Sequence, residues 1–295
     1  MLSPLRLCHP CFKNVPVTTT SYRFDPSALR RTVIEMAYAG STGHIAPAFS
    51  IVEILAVLYR SHLNLGDGSP NSAGRDYLIL SKGHGIMAQY ACMYELGWLS
   101  SEDVRRYFSD GTVLKGLSDA HVPGVETTSG SMGHGLSVGV GLAWAAKRLG
   151  RKQRCFAIVG DGEMNEGPIW EAFLFAAHWE LSNLTVIVDN NGLQAMGRVE
   201  EVLRLDSIAE KLQAFGFETR EVNGHDEAAL DVALRELDKL QSCRPRAIVA
   251  RTVKGYGVSF IQDNNIWHYT RLTPDTYRAA VAELDKNKKK TVSLS

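Results

Sequence analysis

Between residues 154 and 251, short apolar runs alternate with helical patterns, and this constrains the fold more than any other feature of the chain. The runs cover 154–159, 184–188, 217–222 and 247–251 and are β-branched or apolar. The stretches between them, 166–180, 206–215 and 226–240, carry apolar residues at helical spacing. Alternation of this kind builds βαβ units, and hence an α/β fold with a central parallel sheet, helices on both faces and right-handed crossovers. A short run at 76–80 is a further candidate strand.

Upstream, Asp25-Pro26 supplies an N-cap and a first-turn proline for a helix running to Gly40. Ser50 with Glu53 reads as a capping box for a second helix to about His62. Helices are expected near 85–96, 101–108 and 135–149, with a Gly/Ser/Thr-rich loop over 111–135 and a last helix at 273–285. No linker, repeat or composition break divides the chain. The expectation is one domain over 25–285, with a loose N-terminal arm at 1–24 and a basic tail at 286–295.

Charge narrows the partners. Thirty-two basic residues balance 32 acidic ones, so the chain lacks the basic excess expected of a nucleic-acid binder. No apolar run approaches the roughly 18 residues of a membrane span. Five cysteines are too few for a disulfide scaffold, and Cys92 and Cys155 fall in apolar segments as reduced core thiols would, which points to the cytoplasm. Cys8-His9-Pro10-Cys11 has zinc-knuckle spacing, but no second Cys/His pair lies near it to complete four ligands.

In an open parallel sheet, ligands bind beyond the carboxyl ends of the strands. One expected strand end carries Gly160-Asp161-Gly162-Glu163 and the next carries Asp189-Asn190-Asn191-Gly192. Asp161 and Asn191 are 30 residues apart (191 − 161), one strand-to-strand crossover. A carboxylate, a side-chain amide and a loop carbonyl are hard oxygen donors suited to Mg²⁺, which shares its octahedron with substrate phosphates and water. The flanking glycines let the backbone approach a phosphate. Gly-Asp-Gly alone is weak; followed one βα unit later by an Asn-Asn loop, it becomes strong.

Gly160-Asp161-Gly162 followed by Asn190-Asn191 resembles the thiamine diphosphate motif, and the chain from about Pro26 to His268 resembles the N-terminal half of transketolase. The stations come in the family's order: Gly43-His44, Ser81-Lys82-Gly83-His84, His121 before Pro123-Gly124-Val125-Glu126, then Thr128-Ser129-Gly130-Ser131-Met132-Gly133. After the metal motif come Lys254-Gly255-Tyr256-Gly257 and Trp267-His268. The resemblance implies the thiamine diphosphate-binding fold. It implies that Asp161, Asn191 and the Leu193 carbonyl hold Mg²⁺ against the diphosphate, with Gly162 giving a backbone N–H and His84 and His268 side-chain donors. His44 and His121 would face the reacting sugar, and Met132 would pack on the aminopyrimidine. Glu166 would join a proton network across a subunit interface, while Gly130, Gly160 and Glu163 fall among the cofactor-binding positions. Asp189 and Glu163 also read as plain helix caps, and His62, His178 and His225 as surface or satisfied histidines.

The chain departs from the family at several points. Gly43-His44-Ile45-Ala46 stands where Gly-His-Pro-Gly is usual, Ala120-His121-Val122 where Gly-His-Pro is, His134 where Gln is frequent, and Tyr269 where Gly is. These changes line the expected substrate side. The family's cofactor-activating glutamate belongs to a second, pyrimidine-binding domain of roughly 150 residues or more, and only about 40 residues follow the last expected strand. The resemblance therefore implies one subunit of a two-component transketolase. Its partner would be a separately encoded pyrimidine-binding subunit, in a heterotetramer, and the complex would move a two-carbon ketol unit from a ketose or ketose phosphate to an aldehyde. The alternatives are an alpha-type subunit of a 2-oxoacid dehydrogenase-like enzyme, a glycolyl transferase acting on a carrier-bound acceptor, and a non-catalytic scaffold.

Overall fold

The computed structural model of the chain describes residues 23–41 and 43–292, with side chains through 286. Cys8, Cys11 and nearly all of the 1–24 arm lie outside these residues. The chain opens with α1 (Pro26–Ala39), capped as expected by Asp25, whose carboxylate accepts the Ser27 N–H at 2.8 Å. Next come α2 (Ile45–Phe49), α3 (Val52–Val57), β1 (Tyr77–Leu80), α4 (Ile86–Glu95), α5 (Ser101–Arg105) and α6 (Gly135–Arg148). The alternating part follows as β2 (Cys155–Gly160), α7 (Gly167–His178), β3 (Leu184–Asn190), α8 (Val199–Val202), α9 (Ile208–Ala214), β4 (Glu218–Asn223), α10 (Glu227–Lys239) and β5 (Arg246–Arg251). The last helix, α11, spans Pro274–Val292 and continues through the lysine run instead of stopping at 285.

The five strands form one parallel sheet in the order β1-β2-β3-β5-β4. Successive strand residues point to opposite faces, and the two faces are separate cores. Leu80, Phe156, Ile158, Ile187 and Ile248 pack with α1–α4 and α10. Ile79, Ala157, Val159, Val186 and Val249 pack with α6, α7 and α9. The chain steps outward from β2 to β4 through α7 and α9 and returns to β5 through α10 on the other face. A reversal of direction requires this switch when every crossover keeps the same hand.

The expected helix from Ser50 to His62 is not one capped helix. Ser50 closes α2, α3 starts two residues later, and the segment ends in a π-helical turn at Leu58–His62. Tertiary bonds explain the break. The Ser50 hydroxyl donates to Asp189 at 2.7 Å, and Glu53 takes a bidentate bond from Arg30 at 2.7 Å on each oxygen. His225 is a satisfied histidine, one of the two roles its sequence context allows. Its Nε2 accepts the Val253 N–H at 2.8 Å, which leaves the proton on Nδ1 for Glu53 at 3.0 Å.

Burial alone would raise the Glu53 carboxyl, but the Arg30 charge and the His225 bond outweigh it and hold the group at about 2. The contribution of this carboxylate to stability is complete above its ordinary value of 4.5 and is lost as pH falls toward about 2. Glu53→Gln leaves a buried guanidinium unpaired, and urea unfolding at neutral pH should show a loss of about 3–5 kcal/mol. The variant's stability should also fall less steeply than the wild type's through that acid window. Equal stability at neutral pH would remove the pair from this account.

Candidate active site

The loops after β2 and β3 bring two carboxylates side by side. Asp161 is 2% exposed; its Oδ1 accepts the Gly162 N–H at 2.7 Å and its Oδ2 the Gly192 N–H at 2.5 Å. Gly192 has φ 74°, a left-handed conformation that favours glycine and aims its N–H at Asp161. Burial, with the neighbouring Asp189 charge added, pushes the Asp161 carboxyl up to about 6. Among the described residues no basic side chain forms an ion pair with it.

Asp189 is the opposite case. It is fully buried and accepts Ser50 at 2.7 Å, the Asn191 amide at 3.0 Å, the Thr252 hydroxyl and the Lys82 ammonium. Burial pushes this carboxyl up, but the Lys82 charge and the hydrogen bonds hold it below the usual range. Asn191 is thereby oriented by its amide nitrogen, and its Oδ1 accepts the Leu193 N–H at 3.0 Å. Lys254 Nζ lies 3.4 Å from the Leu193 carbonyl, 3.2 Å from the Gln194 carbonyl and 3.1 Å from Asn265. Burial, together with the Lys82 charge, pushes Lys254 down to about 8.

Glu163 turns inward as a brace. Its carboxylate accepts the Ser81 hydroxyl at 2.5 Å, the Gly133 N–H at 2.8 Å and the Gly160 N–H at 3.1 Å. It therefore ties the ends of β1 and β2 to the loop carrying Gly130 and Met132. In the turn after β1, a methyl group on Gly83 would lie 2.1 Å from the Ser129 carbonyl oxygen, so only glycine fits there.

Above the strand ends three imidazoles converge. His44 precedes α2, His84 sits in the turn after β1, and His268 ends the Asn265–His268 turn. Their ring centroids lie 5.6 Å (His44–His84), 5.5 Å (His44–His268) and 5.4 Å (His84–His268) apart. A backbone bridge between Gly43 and Thr270 holds two of the segments together. Burial first, and the charges of Lys82 and Lys254 after it, push His44 down to about 4 and His268 to about 3; His84 is also lowered, by burial and then Lys82. All three are neutral at pH 7. The buried Nδ1 atoms of His44 and His268 have no hydrogen-bond partner among the described residues.

The structure thus brings together Asp161, Asn191, Leu193, Gly160, Gly162, Glu163, His44, His84 and His268. It does not bring His121 to them. That side chain is 92% exposed on the 111–135 loop and bonds Asp119 at 2.7 Å. Lys115, Gly116 and Leu117 are the loop residues that share a cavity with His44. Gly130, Met132 and Glu166 are exposed, and a methyl group on Gly133 would lie 2.7 Å from the Glu166 Cβ, so Glu166 flanks the same loop at the surface. Sequence reasoning missed Lys82, Lys254 and the hub role of Asp189. The two lysines stand inside quoted motifs, but only the fold shows that their amines are buried.

The residues fit a divalent cation bound to an anionic ligand. A buried carboxylate without a cationic partner, an oriented amide oxygen and a loop carbonyl are hard donors, and unpartnered imidazole nitrogens beside two lysines suit an anion. The chain matches the family model described as transketolase, thiamine diphosphate binding domain, over residues 26–293. An apulose-4-phosphate transketolase subunit of Actinobacillus succinogenes is 38% identical over 259 residues, covering 87% of this chain and 93% of that protein. The 6-deoxy-6-sulfo-D-fructose transketolase subunit of a Clostridium species is 34% identical, covering 88% and 94%. Among solved structures, transketolase from Campylobacter jejuni superposes with a TM-score of 0.82 at 25% identity, over 91% of this chain and 43% of that one. The chain therefore spans nearly all of the two curated subunits and less than half of that solved transketolase.

Asp161→Asn should lower Mg²⁺-dependent thiamine diphosphate affinity by about 100-fold or more in calorimetry. The melting temperature without cofactor should stay equal or rise, because the change removes a buried charge that lacks a cation. Wild-type affinity in the variant would remove Asp161 from the metal site.

Proposed function

This chain belongs to the transketolase family, and from that membership we propose that it is the diphosphate-side subunit of a two-component, thiamine diphosphate- and Mg²⁺-dependent transketolase. The complex moves a two-carbon ketol unit from a ketose to an aldehyde. The observation that carries this reading is Asp161, a buried carboxylate paired with no cation, set beside Asn191 and the Leu193 carbonyl at adjacent strand ends.

Asp161, Asn191 and Leu193 would hold the metal, and Lys254 donates to the Leu193 and Gln194 carbonyls of that loop. His84 and His268, neutral and each able to donate one N–H, serve the diphosphate. When bound, the cofactor supplies a carbon nucleophile and stores the electron pair released as the donor's carbon–carbon bond breaks. His44, also neutral, orients the substrate hydroxyl and holds its proton. The geometry favours His44 over His121 for this task.

The partner follows from two supports. Relatives of matching length are themselves named as single subunits of transketolases. Leu174 (61%), Phe175 (42%) and Trp179 (41%) are exposed together at the C-terminal end of α7. An exposed apolar patch of this kind is suited to a second protein chain. No helix among the described residues is long and apolar enough to cross a membrane.

The test is two-carbon transfer from a ketose phosphate by the purified chain and by the chain combined with its pyrimidine-binding partner. The chain alone should show no turnover, and activity should plateau at about one partner per chain. His44→Ala in the complex should lower kcat by about 100-fold with little change in cofactor affinity. Oxidative turnover of pyruvate without ketol transfer would favour the 2-oxoacid dehydrogenase reading instead.

A further inference from the structure

Beside His44 lies an open cavity of about 390 Å³, within the roughly 300–1,000 Å³ of small-molecule sites. Its wall is Tyr107, Phe108, Leu117 and Tyr269, with Gly43, Gly116 and Lys115 completing it. Phe108 is 45% exposed, Leu117 36% and Tyr269 54%. Three large apolar side chains thus face one open space next to the imidazole that meets the substrate. The amine of Lys115, the one lysine on the wall, donates to the Thr112 carbonyl at 2.9 Å.

The aromatic wall is held in an unusual way. Phe108 has φ 57°, the left-handed region that a bulky residue rarely enters. Strained backbone of this kind persists where the surroundings over-determine it, and it clusters at binding sites. Here α5 ends at Arg105, three residues short of Phe108. A methyl group on Gly116 would lie 3.0 Å from the Phe108 ring, so the ring rests on that glycine. The Tyr269 ring lies 4.6 Å from His44, centroid to centroid.

We propose that this cavity receives the far end of the acceptor aldehyde and selects a hydroxyl-poor alkyl or aryl chain over a polyhydroxylated one. The inference deepens the transketolase reading and rests on it. A sugar chain in this space would bury hydroxyls against the Phe108 and Leu117 side chains, and an unpaired buried hydroxyl is costly. An alkyl chain loses no hydrogen bonds and gains burial. With hydroxypyruvate as donor, its carboxylate leaves as carbon dioxide and the bonding pair stays with the two-carbon unit. That pair forms the new bond to the aldehyde carbon, and the aldehyde oxygen takes up a proton.

The experiment uses the reconstituted complex with hydroxypyruvate, reading carbon dioxide release separately from ketol transfer. Pentanal and benzaldehyde are compared with D-ribose 5-phosphate as acceptors. The wild-type complex should show kcat/KM for pentanal at least about tenfold above that for D-ribose 5-phosphate, the effect of one unpaired hydroxyl. Phe108→Gly and Leu117→Asn, made separately, should each reduce that ratio. Carbon dioxide release with D-ribose 5-phosphate preferred would overturn this inference and leave the transketolase reading standing. No ketol transfer to any of the three acceptors, from hydroxypyruvate or from a ketose phosphate, would sink both. Unchanged ratios in both variants would overturn the assignment to this cavity.

Discussion

The strand-end region is organised around one carboxylate, that of Asp189. Its donors come from the end of α2 (Ser50), the turn after β1 (Lys82), the loop after β3 (Asn191) and the residue following β5 (Thr252). A buried charge is tolerated only when it is paired and its remaining lone pairs are filled, and Asp189 meets both conditions. Because the donors lie on separate segments, satisfying this one group sets where three strands and the α2–α3 junction end relative to each other. The Arg30–Glu53–His225 group does similar work one layer back, joining α1 and α3 to the loop that carries Lys254.

The contrast between Asp161 and Asp189 then sets up the chemistry. The two sit at the ends of neighbouring strands, and the Asp161 N–H bonds the Asp189 carbonyl at 3.2 Å. Two adjacent buried carboxylates repel, so ionising both requires compensation. Lys82 compensates Asp189; Asp161 receives only backbone N–H groups from Gly162 and Gly192. The Gly162 N–H, which the sequence motif places against a diphosphate, is here drawn to Asp161. A bound divalent cation would relieve the excess charge on Asp161. Charge economy therefore favours Asp161 over Asp189 as the carboxylate that a cation would join.

Much of this is legible in the sequence, for identifiable reasons. Four of the five strands follow from composition and length, because a buried parallel strand is an apolar run bounded by turn residues. The edge strand β4 shows only an alternation of buried and exposed positions. The α1 cap at Asp25 is a local interaction and so shows in the local sequence. Ser50 and Glu53 mislead because two residues at capping-box spacing look the same whether they bond each other's backbone or distant groups. Asp189 resembles a helix cap for the same reason, since its donors on other segments lie far away in sequence. The histidine cluster can be named only through family order, for nothing local distinguishes His44 or His268 from His62, which merely bonds Asp231.

The cofactor side keeps its motif while the substrate side departs from it, and the fold explains the difference. Asp161, Asn191 and Glu163 are attached to strand ends, where register with neighbouring strands and the Asp189 and Glu163 networks hold each atom in place. A change there disturbs several elements at once. Phe108, Leu117 and Tyr269 stand on irregular segments with exposed side chains, and of these only Phe108 is tied to an unusual backbone conformation. Such positions can exchange size and polarity at little cost to the core. A family can therefore hold one cofactor geometry and change its acceptors by rewriting the wall beside His44. The same division places His121: its loop turns that imidazole to solvent and sets Leu117 in the pocket beside His44, while the strand ends keep their bonds.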